Sequence, residues 1–245
     1  MSYYVLVHGS WHGSWCWEKV VPILREAGHE VVAPDLPGHG EDETPAAEVT
    51  LAAYAERVCG ILDEQPEPVV LVGHSMGGIV TSEAAERRPE KIRMLVYLTA
   101  YLLPNGRSLV DAAQTDEETL VLPNMVVDEE KGIATIRKDA AKDIFYGDCS
   151  EDKARKAIER VIPDPLAPFA TPVSVSEENF GRVRRTYIEC LRDRAIGPTT
   201  QRRMYAELPC EKVVSMDTSH SPFLSAPEEL VRHLMSLDPS QAPAA

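Results

Sequence analysis

Ser75 is the residue of this chain best placed to do chemistry. It lies in Gly73-His74-Ser75-Met76-Gly77-Gly78, fed by the strand-like run Pro68-Val69-Val70-Leu71-Val72 and followed by a helix-forming run from Ile79 to Arg87. A serine on so sharp a strand-to-helix turn presents its hydroxyl instead of burying it. Glycines belong at Gly73 and Gly77 because a Cβ at either position would meet neighbouring backbone. The spacing Gly-x-Ser-x-Gly is also compatible with an ordinary glycine-rich turn, a reading that survives only if the serine has no partners elsewhere in the chain.

A serine hydroxyl is a poor nucleophile near neutral pH, so Ser75 needs a neutral imidazole to take its proton and an acid to fix the imidazole's tautomer. His220 lies in Asp217-Thr218-Ser219-His220-Ser221-Pro222, directly after the last strand-like run, and Asp193 lies three residues beyond Cys190, at the end of the preceding one. All three fall at the carboxyl ends of strands, where parallel sheets gather their reactive groups. Asp217 is too close in sequence to His220 to reach around it. His8, His12, His39 and His74 read as structural hydrogen-bonders, and His29 and His233 as surface residues. The tetrahedral oxyanion of acyl transfer requires two backbone N–H groups, for which Met76, after the nucleophile, and Ser10, in the loop after the first strand, are the candidates. Trp11, Tyr101, Leu103, Phe145, Phe169 and Phe223 could line an apolar pocket or simply pack. Adjacency to the catalytic loops selects Trp11 and Phe223. No metal, nucleotide or flavin signature is present, so no cofactor is expected.

Strands and helices alternate around these residues. Tyr3 to His8 reads as a buried strand. A helical spacing follows at Trp17, Val20, Val21, Leu24 and Ala27, then a strand from Glu30 to Pro34, a stripe at Leu51, Tyr54, Ala55, Val58 and Leu62, and a strand from Met94 to Leu98 beyond the elbow helix. Near-continuous apolar strands in a β-α-β-α-β-α-β order call for a parallel sheet with helices on both faces. The rhythm breaks at Pro104 and resumes with strands at Arg185–Cys190 and Glu211–Met216 around a helix near Thr200 to Glu207. The intervening residues, with helical patterns over Ile133 to Tyr146 and Glu151 to Val161 and a proline-rich stretch, read either as an inserted lid or as decoration without function. The expected organisation is a core of residues 1–103 and 184–237, a lid of residues 104–183 and a flexible tail of residues 238–245. Ser225 with Glu228 predicts a capping box for the closing helix.

The chain has 245 residues, 44% of them hydrophobic and 26% charged, an ordinary globular composition. Its formal net charge of −14 argues against nucleic acid and anionic membranes as partners. No signal peptide or bilayer-length apolar run is seen, which makes a cytoplasmic location the default. The 5 cysteines are odd in number and lack C-x-x-C spacing, so neither a disulfide framework nor a zinc site is suggested. Cys59 and Cys190 read as small buried hydrophobes. The remaining partners are a small-molecule ester substrate and, left open, a second copy of the chain in a homodimer.

Four stretches together resemble a known family: Val7-His8-Gly9-Ser10-Trp11-His12-Gly13-Ser14-Trp15-Cys16-Trp17, the Gly-His-Ser-Met-Gly-Gly elbow, Val96-Tyr97-Leu98-Thr99-Ala100-Tyr101-Leu102-Leu103-Pro104, and Cys190-Leu191-Arg192-Asp193-Arg194-Ala195-Ile196. They are similar to the α/β-hydrolase branch that contains plant hydroxynitrile lyases, salicylate-binding-type methylesterases and bacterial esterases. The resemblance runs from the first strand to the closing helix, is weakest over residues 104–183, and is nearest to the bacterial members at His220-Ser221-Pro222-Phe223-Leu224. It implies an α/β-hydrolase fold of about six mostly parallel strands flanked by helices, with a mainly helical lid, and a Ser75, Asp193 and His220 triad. The lyases of the branch carry a threonine where this chain has Gly9 and a lysine where it has Ser221. Both departures point away from cyanohydrin cleavage. The sequence therefore reads as a serine carboxylic-ester hydrolase for small or aryl esters that forms an acyl-enzyme. The alternatives are a hydroxynitrile lyase-type carbon–carbon lyase and a ligand-sensing receptor on the same fold.

Overall fold

The computed structural model describes residues 1–237, and the predicted tail at residues 238–245 lies outside the described residues. The first half of the chain runs β1 (Tyr3–Val7), α1 (Val20–Glu26), β2 (Glu30–Val32), α2 (Leu51–Glu64), β3 (Val69–Ser75), α3 (Gly77–Arg87) and β4 (Ile92–Ala100). Thr50 starts α2 by accepting the Ala53 N–H on its hydroxyl (3.0 Å), and the predicted stripe Leu51, Tyr54, Ala55, Val58 and Leu62 is buried.

A segment of short elements follows: α4 (Leu109–Ala113), α5 (Val121–Asn124), β5 (Met125–Asp128), β6 (Ile133–Ile136), α6 (Ala141–Phe145), α7 (Glu151–Ile158), β7 (Asp164–Pro165) and α8 (Ala167–Ala170). The chain then returns through β8 (Arg185–Cys190), α9 (Pro198–Glu207), β9 (Lys212–Met216), α10 (Pro222–Ser225) and α11 (Pro227–Leu237).

The central sheet has six strands in the order β2-β1-β3-β4-β8-β9, every neighbouring pair parallel. Every residue of β3 is buried, which is why its sequence is an unbroken apolar run and not an alternating one. Helices flank the sheet, α1 packing against α11 and α2 against α3. The strand order reverses between β1 and β3. A crevice opens at such a reversal, outside the carboxyl ends of the strands.

Two local expectations fail. The helix predicted from Ile133 begins only at Ala141, because Ile133–Ile136 pairs antiparallel with β5 and β7 in a three-stranded sheet. The burial of Ala134 and Ile136 alternates with the half-exposed Ile133 and Thr135, the period of a strand. The predicted capping box at Ser225 is also displaced. Ser225 closes α10, its hydroxyl donating to the Ser221 carbonyl (3.4 Å), and α11 starts two residues later.

Candidate active site

Ser75 is the last residue of β3 and holds a φ of +54°, the left-handed region that a side chain adopts only under constraint. The constraint is steric. A Cβ on Gly73 would lie 2.6 Å from the Gly77 carbonyl oxygen, and one on Gly77 would lie 2.8 Å from that of His8, so only glycines let α3 turn this closely beneath the serine. Among the described residues, Trp11 (φ +60°) and Thr99 (φ +37°) are the other non-glycine residues in this region. They lie just beyond β1 and near the end of β4, the two neighbours of β3. Such conformations cost on the order of 1–3 kcal/mol each and cluster where function requires them.

Asp193 and His220 meet at the ends of β8 and β9. The His220 Nδ1–H donates to Asp193 Oδ2 (2.7 Å), both side chains being buried. Asp193 is otherwise held by the Thr99 hydroxyl on Oδ2 and by the backbone N–H groups of Ala195 (2.6 Å) and Ile196 (3.0 Å) on Oδ1. With these donors on both oxygens the carboxylate cannot swing. The proton it fixes on Nδ1 leaves Nε2 of His220 as the free base. His74 Nε2–H donates to the His220 carbonyl (2.9 Å), and the two rings lie 4.6 Å apart, which ties the histidine loop to the elbow. Among the described residues no hydrogen bond joins Ser75 to His220. Bonds of this kind are often long in the free enzyme and tighten around substrate.

Asp217, the nearer acid in sequence, is turned to solvent, where it pairs with Arg192 (3.0 Å) with 78% of its side chain exposed. Asp148, which the sequence did not single out, holds the same loop from across the fold. Its carboxylate accepts the Ser219 N–H (3.0 Å) and the Ser219 hydroxyl. Thr99 was likewise missed as an individual residue, although the stretch around it carries the family resemblance.

The loop after β1 is braced by histidines. His8 donates from Nδ1 to the Gly9 carbonyl (2.9 Å) and accepts the Leu36 N–H at Nε2 (3.1 Å). His12 donates from Nδ1 to the Ser10 carbonyl (2.7 Å) and accepts the Tyr146 hydroxyl at Nε2 (2.8 Å). Each histidine has one donor and one acceptor role, so each is neutral. Burial is the main reason that the pKa of His8 is pushed well below its usual value and that of His12 down to about 4. Gly9 is pressed against Ser75, a Cβ there lying 2.6 Å from the Ser75 Cβ. His29, expected at the surface, is buried edge-on against the Tyr4 ring (5.2 Å) because it follows the turn at Gly28 and enters the sheet edge.

Ser10 and Ser75 share the wall of a narrow cavity of about 40 Å³, otherwise lined by apolar side chains including Trp11, Tyr101, Leu109, Phe145, Phe169 and Ile196. Met76, the residue after Ser75, is fully buried at the start of α3. Phe223, assigned to the pocket on adjacency, is not on its wall. It packs behind the elbow, against the rings of His74 (4.9 Å) and Trp17 (5.4 Å), because α10 turns it inward under the loop. Leu103 is also buried elsewhere. A larger open cleft of about 650 Å³, lined by Glu117, Asp148, Arg192 and Arg194 among others, does not include Ser75, whereas the smaller cavity does.

Among the described residues no group of three or more His, Cys, Asp or Glu could hold a metal ion, and no helix is long and apolar enough to cross a membrane.

Comparison with known proteins gives a consistent match. The alpha/beta hydrolase family matches residues 4–233. Putative methylesterase 11, chloroplastic, of Arabidopsis thaliana is 34% identical over 96% of this chain, which spans 64% of that relative. Methylesterase 9 of the same plant is 32% identical, with 97% of this chain and 98% of the relative covered. In three dimensions a pyrethroid hydrolase from Sphingobium faniae superposes with a TM-score of 0.88 at 29% identity, covering 99% of this chain and 98% of its own.

Proposed function

This chain belongs to the alpha/beta hydrolase family, and we propose that it is an esterase that cleaves small or aryl carboxylic esters through Ser75, His220 and Asp193 by way of an acyl-enzyme. Ser75 Oγ attacks the ester carbonyl and passes its proton to His220 Nε2, while the N–H groups of Ser10 and Met76 receive the oxyanion. Collapse expels the alcohol, which leaves with the proton from His220. A water molecule then repeats the sequence on the acyl group, restoring the Ser75 hydroxyl and releasing the acid.

The observation that carries this reading is the buried His220–Asp193 bond (2.7 Å) at the same sheet edge as Ser75, whose φ of +54° places it on the cavity wall. Substrate class follows from the lining. It includes no charged side chain, so the group it takes is apolar and uncharged. Relatives named for methyl esters and for pyrethroids support the same class.

A cavity of about 40 Å³ is far below the roughly 300 Å³ of a ligand-filled pocket, so its walls must part for substrate. Leu109, Val121, Phe145 and Phe169 of those walls come from residues 104–183, which we assign as the lid. No observation favours a cyanohydrin lyase. Gly9 has no room for a side chain against Ser75, and Ser221 is buried.

The test is Ser75→Ala. With p-nitrophenyl acetate its turnover should fall by at least about 10³-fold, and a fluorophosphonate probe should label the wild type only. Labelling of both proteins at equal speed would remove Ser75 as the nucleophile.

A further inference from the structure

The peptide unit between Ser10 and Trp11 is held at both of its polar ends, and neither holder is backbone. The Ser10 carbonyl accepts from His12 Nδ1 (2.7 Å), and the Trp11 N–H donates to Asp164 Oδ2 (2.5 Å). Asp164 is fully buried, lies 153 residues further along the chain and belongs to β7. The same oxygen receives His39 Nε2 (3.1 Å), also buried. Burial alone would lower the pKa of His39, but the adjacent Asp164 charge and its hydrogen bond more than offset this, so the imidazole is held towards its charged form. Trp11 sits at φ +60°, which a tryptophan keeps only where its surroundings hold it.

Resting on the reading of Ser10 as an oxyanion donor, we infer that Asp164 is a positioning residue for catalysis: by binding the Trp11 N–H it keeps the β1 loop in the left-handed turn that aims the Ser10 N–H at the reacting carbonyl. The carboxylate is a poor device for stability alone. Asp193 has donors on both oxygens, whereas Asp164 Oδ1 is buried with no hydrogen-bond partner among the described residues, and all its bonds converge on the oxygen that holds Trp11. Half-satisfied buried carboxylates cost stability, so this one is better explained by what it orients. A charge-assisted N–H···O bond is about twice as strong as a neutral one, which suits it to holding a strained turn.

The experiment compares Asp164→Ala and Asp164→Asn with wild type. It measures kcat and KM for p-nitrophenyl acetate and the inhibition constant of an aryl trifluoromethyl ketone, whose adduct with the serine carries an oxyanion that the unreacted ester lacks. Removal of a whole oxyanion donor costs about 10²–10³ in kcat, and a misaimed one should cost about 10- to 100-fold in the alanine variant. Ketone affinity should fall in the same proportion while KM stays within about twofold. Asparagine keeps an oxygen on the Trp11 N–H without the charge and should fall between, about three- to tenfold below wild type.

A folded alanine variant with wild-type kcat and ketone affinity would overturn the inference, as would a loss expressed in KM alone. If alanine does not fold, asparagine decides: matched losses in kcat and ketone affinity support positioning, and unchanged values refute it. Failure of the serine hydrolase reading would show separately, as ester turnover that persists in Ser75→Ala.

Discussion

Replacing Asp193 by asparagine separates a carboxylate that sets the tautomer of His220 from one that fills space. Oδ1 of Asp193 faces two N–H donors, on Ala195 (2.6 Å) and Ile196 (3.0 Å), so the amide oxygen of the variant must take that side. The amide NH₂ then stands where Oδ2 was, against the Thr99 hydroxyl and His220 Nδ1. Thr99 can rotate its hydroxyl to accept, but His220 can accept only by moving its proton to Nε2, which removes the lone pair needed for the Ser75 proton. A tautomer fixed in this way lowers kcat by about 10⁴, or about 5 kcal/mol of barrier. Stability should change by only about 1 kcal/mol, since the buried N–H groups keep their acceptor. Steady-state hydrolysis of p-nitrophenyl acetate gives the first quantity and urea unfolding the second. Asp217→Asn is the control, expected within about twofold of wild type because its ion pair is exposed. An Asp193→Asn variant within tenfold of wild type, or an Asp217→Asn variant that is the more severe of the two, would refute the reasoning.

Three further outcomes follow. Gly9→Ala brings a Cβ to 2.6 Å from the Ser75 Cβ and 3.0 Å from the His74 carbonyl oxygen, so it should cost about 1–3 kcal/mol in urea unfolding and slow fluorophosphonate labelling; normal values for both would show that the loop yields freely. His8, His12 and His74 are buried with lowered pKa values, so the unfolded chain takes up protons below about pH 6.5 that the folded chain refuses. The part of the stability that rests on these three histidines should therefore be full above that pH and decline towards pH 4 by up to about 1.4 kcal/mol per unit for each, and His12→Gln should flatten the slope; an unchanged slope would unlink His12. Phe145→Ala opens the cavity and should raise the kcat/KM ratio of a bulky aryl ester to a methyl ester about tenfold, whereas an unchanged ratio would place the substrate elsewhere.

The sheet and the three polar residues at its edge were legible in the sequence because each signal is local. A fully buried strand writes an apolar run, an elbow needs glycine two residues before and after the serine, and the acid and histidine follow directly on their strands. The rest depends on contacts between distant parts of the chain. Asp148 and Asp164 are unremarkable acids in a charged stretch until folding brings them to Ser219 and Trp11. Phe223 is next to the histidine loop in sequence, yet one turn of α10 carries it behind the elbow, while Phe145 and Phe169 reach the cavity from far along the chain. Ile133–Ile136 is too short for its period to distinguish strand from helix, and its antiparallel partners decide the matter.

The segment between β4 and β8 divides its labour among different residues, and that division bears on how such a chain can change over generations. Leu109, Val110, Ala113, Val121, Leu122 and Met125, all before β6, touch the cavity, which Phe145 and Phe169 also reach from beyond that strand. Tyr146, Asp148 and Asp164, all after it, hold the loops that carry His12, Ser219 and Trp11. Residues of the first group can be exchanged for larger or smaller ones, altering which esters fit, without disturbing the bonds made by the second. A descendant can thus acquire a new diet by drift in one short stretch, whereas a chimera that imports a foreign segment whole, without acids and a tyrosine in these places, would inherit an intact serine beside unbraced loops.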